Sequence, residues 1–211
     1  QKLGLVSVGP SGKMAGKAMV VGATGAIGSV CARLLAKAAD EIYLVAPEPA
    51  KLLALKEDIE QETPGAQVHV TAKTEKYLGD MDMIVTATSG AGKKILDIMR
   101  VKPGCVITDV ARPLDIPPQD VAKRPDVLVI ESGEIRLPGT VHMKDIGLPK
   151  NVVYACLAET IVLALEGRFE NFSIGRGLDY DRVQEIERLA ERNGFRLEMD
   201  LGLTLLRLPG H

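Results

Sequence analysis

Residues 18–21 form a short apolar run that leads directly into the sequence G-A-T-G-A-I-G and then into a helical pattern reaching about residue 39. The first glycine of such a turn permits a tight strand-to-helix connection, the second lets the backbone approach a pyrophosphate, and the third lets helix and strand pack closely. The N–H groups at the start of the helix then face the phosphate. The pattern predicts a dinucleotide-binding turn; a glycine turn without a ligand is the alternative. The residues assigned to it are Gly22, Ala23, Thr24, Gly25, Ala26, Ile27 and Gly28.

The apolar runs that follow the turn indicate the fold class. They lie at residues 42–46, 68–72, 83–89, 105–111 and 127–132, and residues 51–62 and 93–99 between them have helical patterns. Continuous apolar runs are typical of parallel strands that are buried on both faces. The sequence therefore predicts an α/β fold, a Rossmann-like doubly wound and mostly parallel sheet. With 4 Tyr, 3 Phe and no Trp, its core must be mainly aliphatic.

The pattern changes after residue 132, where three further elements are predicted. They are a long, largely buried helix over residues 151–167, an amphipathic helix over residues 179–194 and a closing strand over residues 195–206. The glycine-rich residues 1–17 predict a lead-in without regular structure. We expect two parts: an NAD(P)-binding domain over residues 1–132, and a mainly helical C-terminal region over residues 133–211 that packs on it.

Ala46 and Glu48 follow the second predicted strand, where such folds recognise the ribose of the coenzyme. A carboxylate there hydrogen-bonds the 2′-hydroxyl of NAD, whereas an arginine accepts the 2′-phosphate of NADP. Glu48 lies 20 residues after Gly28, and Lys51 is the cation beside it. Glu48 is either the ribose ligand or a solvated loop carboxylate, so the choice between NADP and NAD stays open.

Small residues end the fourth and fifth predicted strands; they are Thr86, Thr88, Ser89, Asp109 and Ala111. The carboxyl ends of parallel strands form the edge of the sheet that carries the ligand crevice. Thr88 and Ser89 are assigned to the nicotinamide side of the site. The alternative is that these residues only shape the backbone.

Charge and composition exclude several classes of function. Lys+Arg is 26 and Asp+Glu is 28, which gives a formal charge of −2 and disfavours a nucleic-acid-binding protein. No apolar run reaches about 18 residues, so no transmembrane segment is predicted. Three cysteines do not make a disulfide framework and indicate a reducing, cytoplasmic compartment. The 3 histidines and the scattered cysteines offer no metal-ligand cluster.

Cys156 lies in the sequence Y-A-C-L-A-E near the start of the long predicted helix. Composition alone predicts a buried packing residue, but a thiolate near a helix N-terminus or a cation would be a nucleophile. His142 precedes the same helix and is either an acid–base or orienting group or an ordinary loop histidine. Cys31 and Cys105 are predicted to pack in the interior, and His69 to point to solvent.

Three segments resemble a known family, the long-chain acyl-[acyl-carrier-protein] reductases of cyanobacteria. The segments are V-V-G-A-T-G-A-I-G-S, A-C-L-A-E-T-I-V-L-A-L-E-G-R-F-E-N-F-S-I-G-R and E-R-N-G-F, and the resemblance extends over residues 18–200. It implies reduction of a fatty acyl thioester, carried by acyl carrier protein or coenzyme A, to a fatty aldehyde with NADPH. It also implies that Cys156 is the acyl-accepting nucleophile, and that an N-terminal substrate domain of the family is missing from this chain.

The resemblance assigns no function to two positions, Pro47 and His142. The arginine that the family carries after its second strand is Pro47 here, which leaves NADPH and NADH both possible, and His142 inherits no role. Two other hypotheses stay open. One is a shikimate-dehydrogenase-like oxidoreductase that acts on a ketone or alcohol without a covalent step, in which Cys156 only packs. The other is an NAD(P)-binding sensor without chemistry.

Overall fold

The computed structural model describes residues 14–90, 94–174 and 178–200. The described residues divide into a first compact unit, which comprises those up to Glu131 together with Asp200, and a second unit, Ser132–Met199. No helix within the described ranges is long and apolar enough to cross a bilayer.

The first unit is built on a parallel sheet. Its strands are β1 (Met14–Val21), β2 (Ala39–Val45), β3 (Gln67–Thr71), β4 (Met83–Thr86), β5 (Val106–Asp109) and the first part of β6 (Leu128–Arg136). They pair in the order β3-β2-β1-β4-β5-β6, and every pairing in this series is parallel. The order reverses between β1 and β4, which is the point where open α/β sheets bind ligands.

Helices and short turns connect these strands. They are α1 (Ala26–Ala38), α2 (Pro49–Glu62), α3 (Pro118–Val121) and the 3₁₀ turns Leu78–Asp80 and Ile98–Arg100. Proline is tolerated at the first position of a helix, where its missing N–H has no partner to lose, and α2 begins in this way at Pro49. The prediction of a Rossmann-like, mostly parallel α/β fold is confirmed.

Aliphatic side chains form one apolar layer on each face of the sheet. Because successive residues of a strand point to opposite faces, Met19 and Val21 enter one layer and Val20 enters the other. In β2, Tyr43 and Leu44 divide in the same way. Strands buried on both faces are therefore apolar throughout, which is why the sequence predicted them.

The second unit contains the last part of β6, β7 (Val152–Tyr154), α4 (Ala155–Leu165), α5 (Tyr180–Arg192) and most of β8 (Arg196–Asp200). β7 pairs antiparallel with β6, and β8 also pairs with β6. A separate apolar cluster packs this unit; its buried members are Leu137, Val153, Ala158, Val162 and Phe195.

Several predicted boundaries are wrong. Residues 151–153 belong to the helix that the sequence predicts over 151–167, but the β-branched Val152 and Val153 extend a strand along β6, and the helix begins at Ala155. That helix is also not largely buried, because Leu165 is 61% exposed. Residues 14–17 belong to β1 and not to an irregular lead-in.

The helix predicted over residues 93–99 is replaced by an irregular segment and a 3₁₀ turn that Asp97 caps by accepting from the Met99 N–H; Lys93 lies outside the described residues. The strand predicted over residues 195–206 is present to Asp200, and residues 201–206 lie outside the described part of the chain. β4 and β5 end earlier than predicted, at Thr86 and Asp109.

Candidate functional site

The glycine turn joins β1 to α1 and is anchored on the end of β2. The backbone N–H groups of Gly22 and Ala23 both donate to the Val45 carbonyl, at 2.9 and 3.1 Å, and Gly25 N–H donates to the Gly22 carbonyl at 3.0 Å. Gly22 has a φ of +83°, which favours glycine, and a Cβ there would lie 2.6 Å from the Ala87 carbonyl oxygen. The first position of the turn therefore excludes any side chain.

Gly28 sets the distance between α1 and the turn. A Cβ on Gly28 would lie 2.1 Å from the Gly22 carbonyl oxygen, so only glycine lets the helix approach this closely. The helix has Gly25 at its N-cap, makes no side-chain cap hydrogen bond and carries no acidic residue in its first turn. Its first N–H groups are thus available to an anion, and the geometry fits a dinucleotide pyrophosphate.

Glu48 is bound to the turn and to α2. The Thr24 hydroxyl donates to one Glu48 carboxylate oxygen at 3.0 Å, and the Lys51 ammonium lies 3.3 Å from the other. The hydrogen bond from Thr24, and then that from Lys51, lower the pKa of Glu48. An ionised carboxylate therefore lies beside the glycine turn, after the buried Ala46, as a ribose-binding residue requires.

Thr88 and Ser89 lie just after β4 and differ in their surroundings. The Thr88 hydroxyl donates to Asp115 Oδ1 at 2.6 Å and accepts from Gly90 N–H at 3.1 Å, while the Thr88 N–H donates to Asp115 Oδ2 at 3.1 Å. Ser89 is exposed. The contacts of Thr88 are those of a residue that shapes the backbone at this edge of the sheet.

Sequence reasoning missed Asp115. It is buried in the loop after β5, and its own N–H donates to Asp109 Oδ2 at 2.9 Å. Asp109 also accepts from the N–H groups of Ala111 and Ile116. Burial raises the pKa of Asp109, while these backbone hydrogen bonds oppose the shift. The one signal in the sequence was a carboxylate within the otherwise apolar stretch P-L-D-I-P.

Cys156 lies in the first turn of α4 and is exposed, so the burial that composition predicted is wrong. Tyr154, the N-cap residue of this helix, makes no side-chain hydrogen bond to it. The other two cysteines are less accessible. Cys31 is partly buried and Cys105 is fully buried; burial raises the pKa of both thiols, that of Cys105 to about 12.

His142 lies in the exposed segment 138–147 of the second unit. This segment connects to β7 through the Asn151 side chain, which accepts from the Val141 N–H at 3.1 Å. The structure thus brings together the glycine turn, Glu48 and Thr88 in the first unit, whereas Cys156 and His142 belong to the second. Among the described residues, no three or more His, Cys, Asp or Glu side chains are grouped as metal ligands.

Known proteins match different parts of the chain. It is 40% identical over 133 residues to aminotransferase PigE of Serratia sp., a match that covers 62% of this chain and 15% of that protein. It is 25% identical over 184 residues to the long-chain acyl-[acyl-carrier-protein] reductase of Synechococcus elongatus, covering 83% of this chain and 51% of that one. The chain thus spans about half or less of the length of these relatives.

A solved structure with a similar fold is the quinate dehydrogenase of Corynebacterium glutamicum in complex with NAD. It has a TM-score of 0.47 and 16% identity, and the match covers 53% of this chain and 43% of that one. Residues 17–154, well over half of the chain, match the family described as semialdehyde dehydrogenase, NAD binding domain. The prediction of an NAD(P) coenzyme is confirmed, and the chain belongs to this NAD-binding domain family of NAD(P)-dependent oxidoreductases.

Proposed function

We propose that this chain reduces a fatty acyl thioester to an aldehyde, with Cys156 as the nucleophile that accepts the acyl group and NAD(P)H as the reductant. The observation that carries the proposal is the exposed Cys156 thiol in the first turn of α4, within the A-C-x-A-E motif of the resemblance. The name of the 25% identical relative supports an acyl thioester as substrate. The carrier is acyl carrier protein or coenzyme A.

The reaction consists of two transfers at one carbonyl carbon. The Cys156 thiolate attacks the thioester, a new C–S bond forms, and the carrier thiolate leaves and takes up a proton. A coenzyme held at the glycine turn and Glu48 would supply the hydride that reduces the acyl carbonyl carbon. The bond to Cys156 then breaks, which releases the aldehyde and restores the thiolate. One thioester, one hydride and one proton give one aldehyde and one thiol.

Two observations favour Cys156 over the other cysteines for the first step. Its side chain is exposed, so a carrier-bound thioester has access to it. It also lies in the first turn of α4, a helix that has no side-chain cap hydrogen bond and no acidic residue in its first turn. By contrast, burial raises the pKa of Cys31 and Cys105 and keeps both thiols protonated at neutral pH.

The proposal extends to the coenzyme and to the organisation of the chain. The ionised Glu48 beside Thr24 favours NADH over NADPH, since a carboxylate accepts a hydrogen bond from a ribose hydroxyl but repels a 2′-phosphate. Residues 1–132 would form the coenzyme domain and residues 133–211 the region that carries the nucleophile. His142 would act in proton transfer or orientation.

The covalent step is tested by intact mass spectrometry after incubation with a long-chain acyl-coenzyme A without nicotinamide. Wild type and Cys31→Ala should gain one acyl group, whereas Cys156→Ala should gain none. Cys31→Ala is a matched control, because it also removes one thiol. An unmodified wild type, or equal modification of Cys156→Ala, would contradict the covalent mechanism and favour a ketone reductase or a sensor.

A further inference from the structure

Both carboxylate oxygens of Asp115 accept hydrogen bonds from Thr88, which follows the end of β4. Its Oδ2 accepts from the Thr88 N–H at 3.1 Å, and its Oδ1 accepts from the Thr88 hydroxyl at 2.6 Å. Only 2% of Asp115 is exposed, so water cannot replace these hydrogen bonds easily. The proposed reaction assigns no role to this carboxylate.

The peptide that Asp115 holds is the one against which the glycine turn packs. A Cβ on Gly22 would lie 2.6 Å from the Ala87 carbonyl oxygen and 3.1 Å from the Thr88 nitrogen. The Ala87 N–H donates to the Val21 carbonyl at 2.9 Å, immediately before the turn. Movement of the peptide between Ala87 and Thr88 would therefore move or release the turn.

The carboxylate of Asp109 in turn holds the backbone of Asp115 in place. This carboxylate accepts from the N–H groups of Asp115 and Ile116, at 2.9 and 3.0 Å, and from that of Ala111 at 3.1 Å. The two buried carboxylates thus connect the end of β5 to the end of β4, and through Thr88 to the turn. Buried hydrogen-bond networks of this kind rigidify the segments that they join.

We propose that Asp115 is a positioning residue for NAD(P) binding, which acts by holding the Thr88 peptide against the glycine turn. Thr88 has the same positioning role, because it is the residue to which Asp115 is hydrogen-bonded. Its hydroxyl has one proton to donate, which goes to Asp115, so Thr88 supports the rim of the site and is not a hydrogen-bond donor to the coenzyme. The proposal rests on a coenzyme site at the glycine turn and not on the thioester chemistry.

The test measures the Kd of NADH by calorimetry on the full chain and the Tm of each variant. Asp115→Ala should weaken NADH binding by about tenfold, as expected for loss of charge-assisted hydrogen bonds. Asp115→Asn keeps one acceptor for the Thr88 N–H and should stay within about threefold of wild type. Thr88→Val should resemble Asp115→Ala, and the double variant should be little worse than either.

Asp82 provides the matched control, because it supports the other end of β4. It accepts from the Lys17 N–H at 2.8 Å and pairs with Lys102 at 2.5 Å, at the amino edge of the sheet. Asp82→Ala should lower the Tm and leave the NADH Kd unchanged. Asp115→Ala with a lowered Tm and an unchanged Kd would overturn the proposal.

Two further outcomes are decisive. If Asp115→Ala does not fold, the NADH Kd of Thr88→Val tests the proposal instead, and an unchanged Kd in that variant overturns it. A wild type that binds neither NADH nor NADPH would overturn the coenzyme site itself and this inference with it. Acylation of Cys156 is measured without coenzyme, so the outcome of that test is independent of the coenzyme site and of the role proposed for Asp115.

Discussion

Glu48 connects the glycine turn to α2 through its two carboxylate oxygens. One accepts from Thr24 in the glycine turn, and the other lies near Lys51 in the first turn of α2. Both contacts lower the carboxyl pKa, so the group stays ionised at neutral pH. In the proposed coenzyme site, the negative charge of Glu48 would favour a ribose hydroxyl over a ribose phosphate.

Glu48→Gln should shift the coenzyme preference toward NADPH by about tenfold, because it removes the charge that repels the 2′-phosphate. The measurement is the ratio of the Kd values for NADPH and NADH. Since the pKa of Glu48 is lowered, titration of Glu48 should add no pH dependence to the wild-type ratio across neutral pH. Glu60→Gln is a suitable control, as Glu60 pairs with Lys56 on α2. An unchanged ratio in Glu48→Gln would contradict the assignment.

The individual site residues differ in how far sequence could predict them. The spacing of Gly22, Gly25 and Gly28 is a local pattern, and its geometry follows from backbone sterics alone. The bond between Thr88 and Asp115 joins residues 27 apart in the sequence. Its formation depends on how the loop after β5 folds back, which no local pattern encodes. The exposure of Cys156 likewise depends on which face of α4 is covered.

At the scale of elements, the packing of α1 on β1 determines the shape of the glycine turn. Gly28 is the contact point, and a Cβ there would overlap the Gly22 carbonyl. Gly28→Ala should destabilise the fold by about 1–3 kcal/mol, as overpacking does, and should abolish NADH binding. Thermal unfolding and calorimetric titration measure the two effects.

Gly79→Ala is the control for the helix-packing prediction. Gly79 lies in the 3₁₀ turn Leu78–Asp80, and a Cβ there would meet only the Arg100 carbonyl oxygen at 3.7 Å, an ordinary contact. The variant should bind NADH like wild type. Wild-type NADH affinity in Gly28→Ala would show that close helix–strand packing is not needed for the site.

Strands β1–β6 and β8 and the helices α1, α2 and α5 follow from apolar runs and helical periodicity, and the sequence predicted each of them. The errors lie where tertiary pairing overrides a local pattern. Val152 and Val153 continue an apolar run, and only the neighbouring β6 makes them a strand. Residues 94–99 contain apolar residues at helical spacing, yet Leu96 is buried from an irregular segment and Ile98 from a 3₁₀ turn.

At the scale of the whole molecule, the two units carry different parts of the proposed chemistry. The first contains the glycine turn and Glu48, and the second contains Cys156. The family match begins at residue 17 and ends at residue 154, so it includes the turn and stops before Cys156. Coenzyme binding is therefore a property of the family, whereas the thiol chemistry is a proposal about this chain.

The most direct test of the thioester reduction follows the acyl group on Cys156 after it has formed. Acylated protein, freed of excess acyl-coenzyme A, is mixed with NADH or with NADPH, and protein mass, aldehyde and coenzyme oxidation are measured together. We expect the acyl group to leave as one aldehyde for each coenzyme oxidised, and to leave faster with NADH than with NADPH. An acyl group that persists, or leaves as fatty acid without coenzyme oxidation, would contradict this expectation.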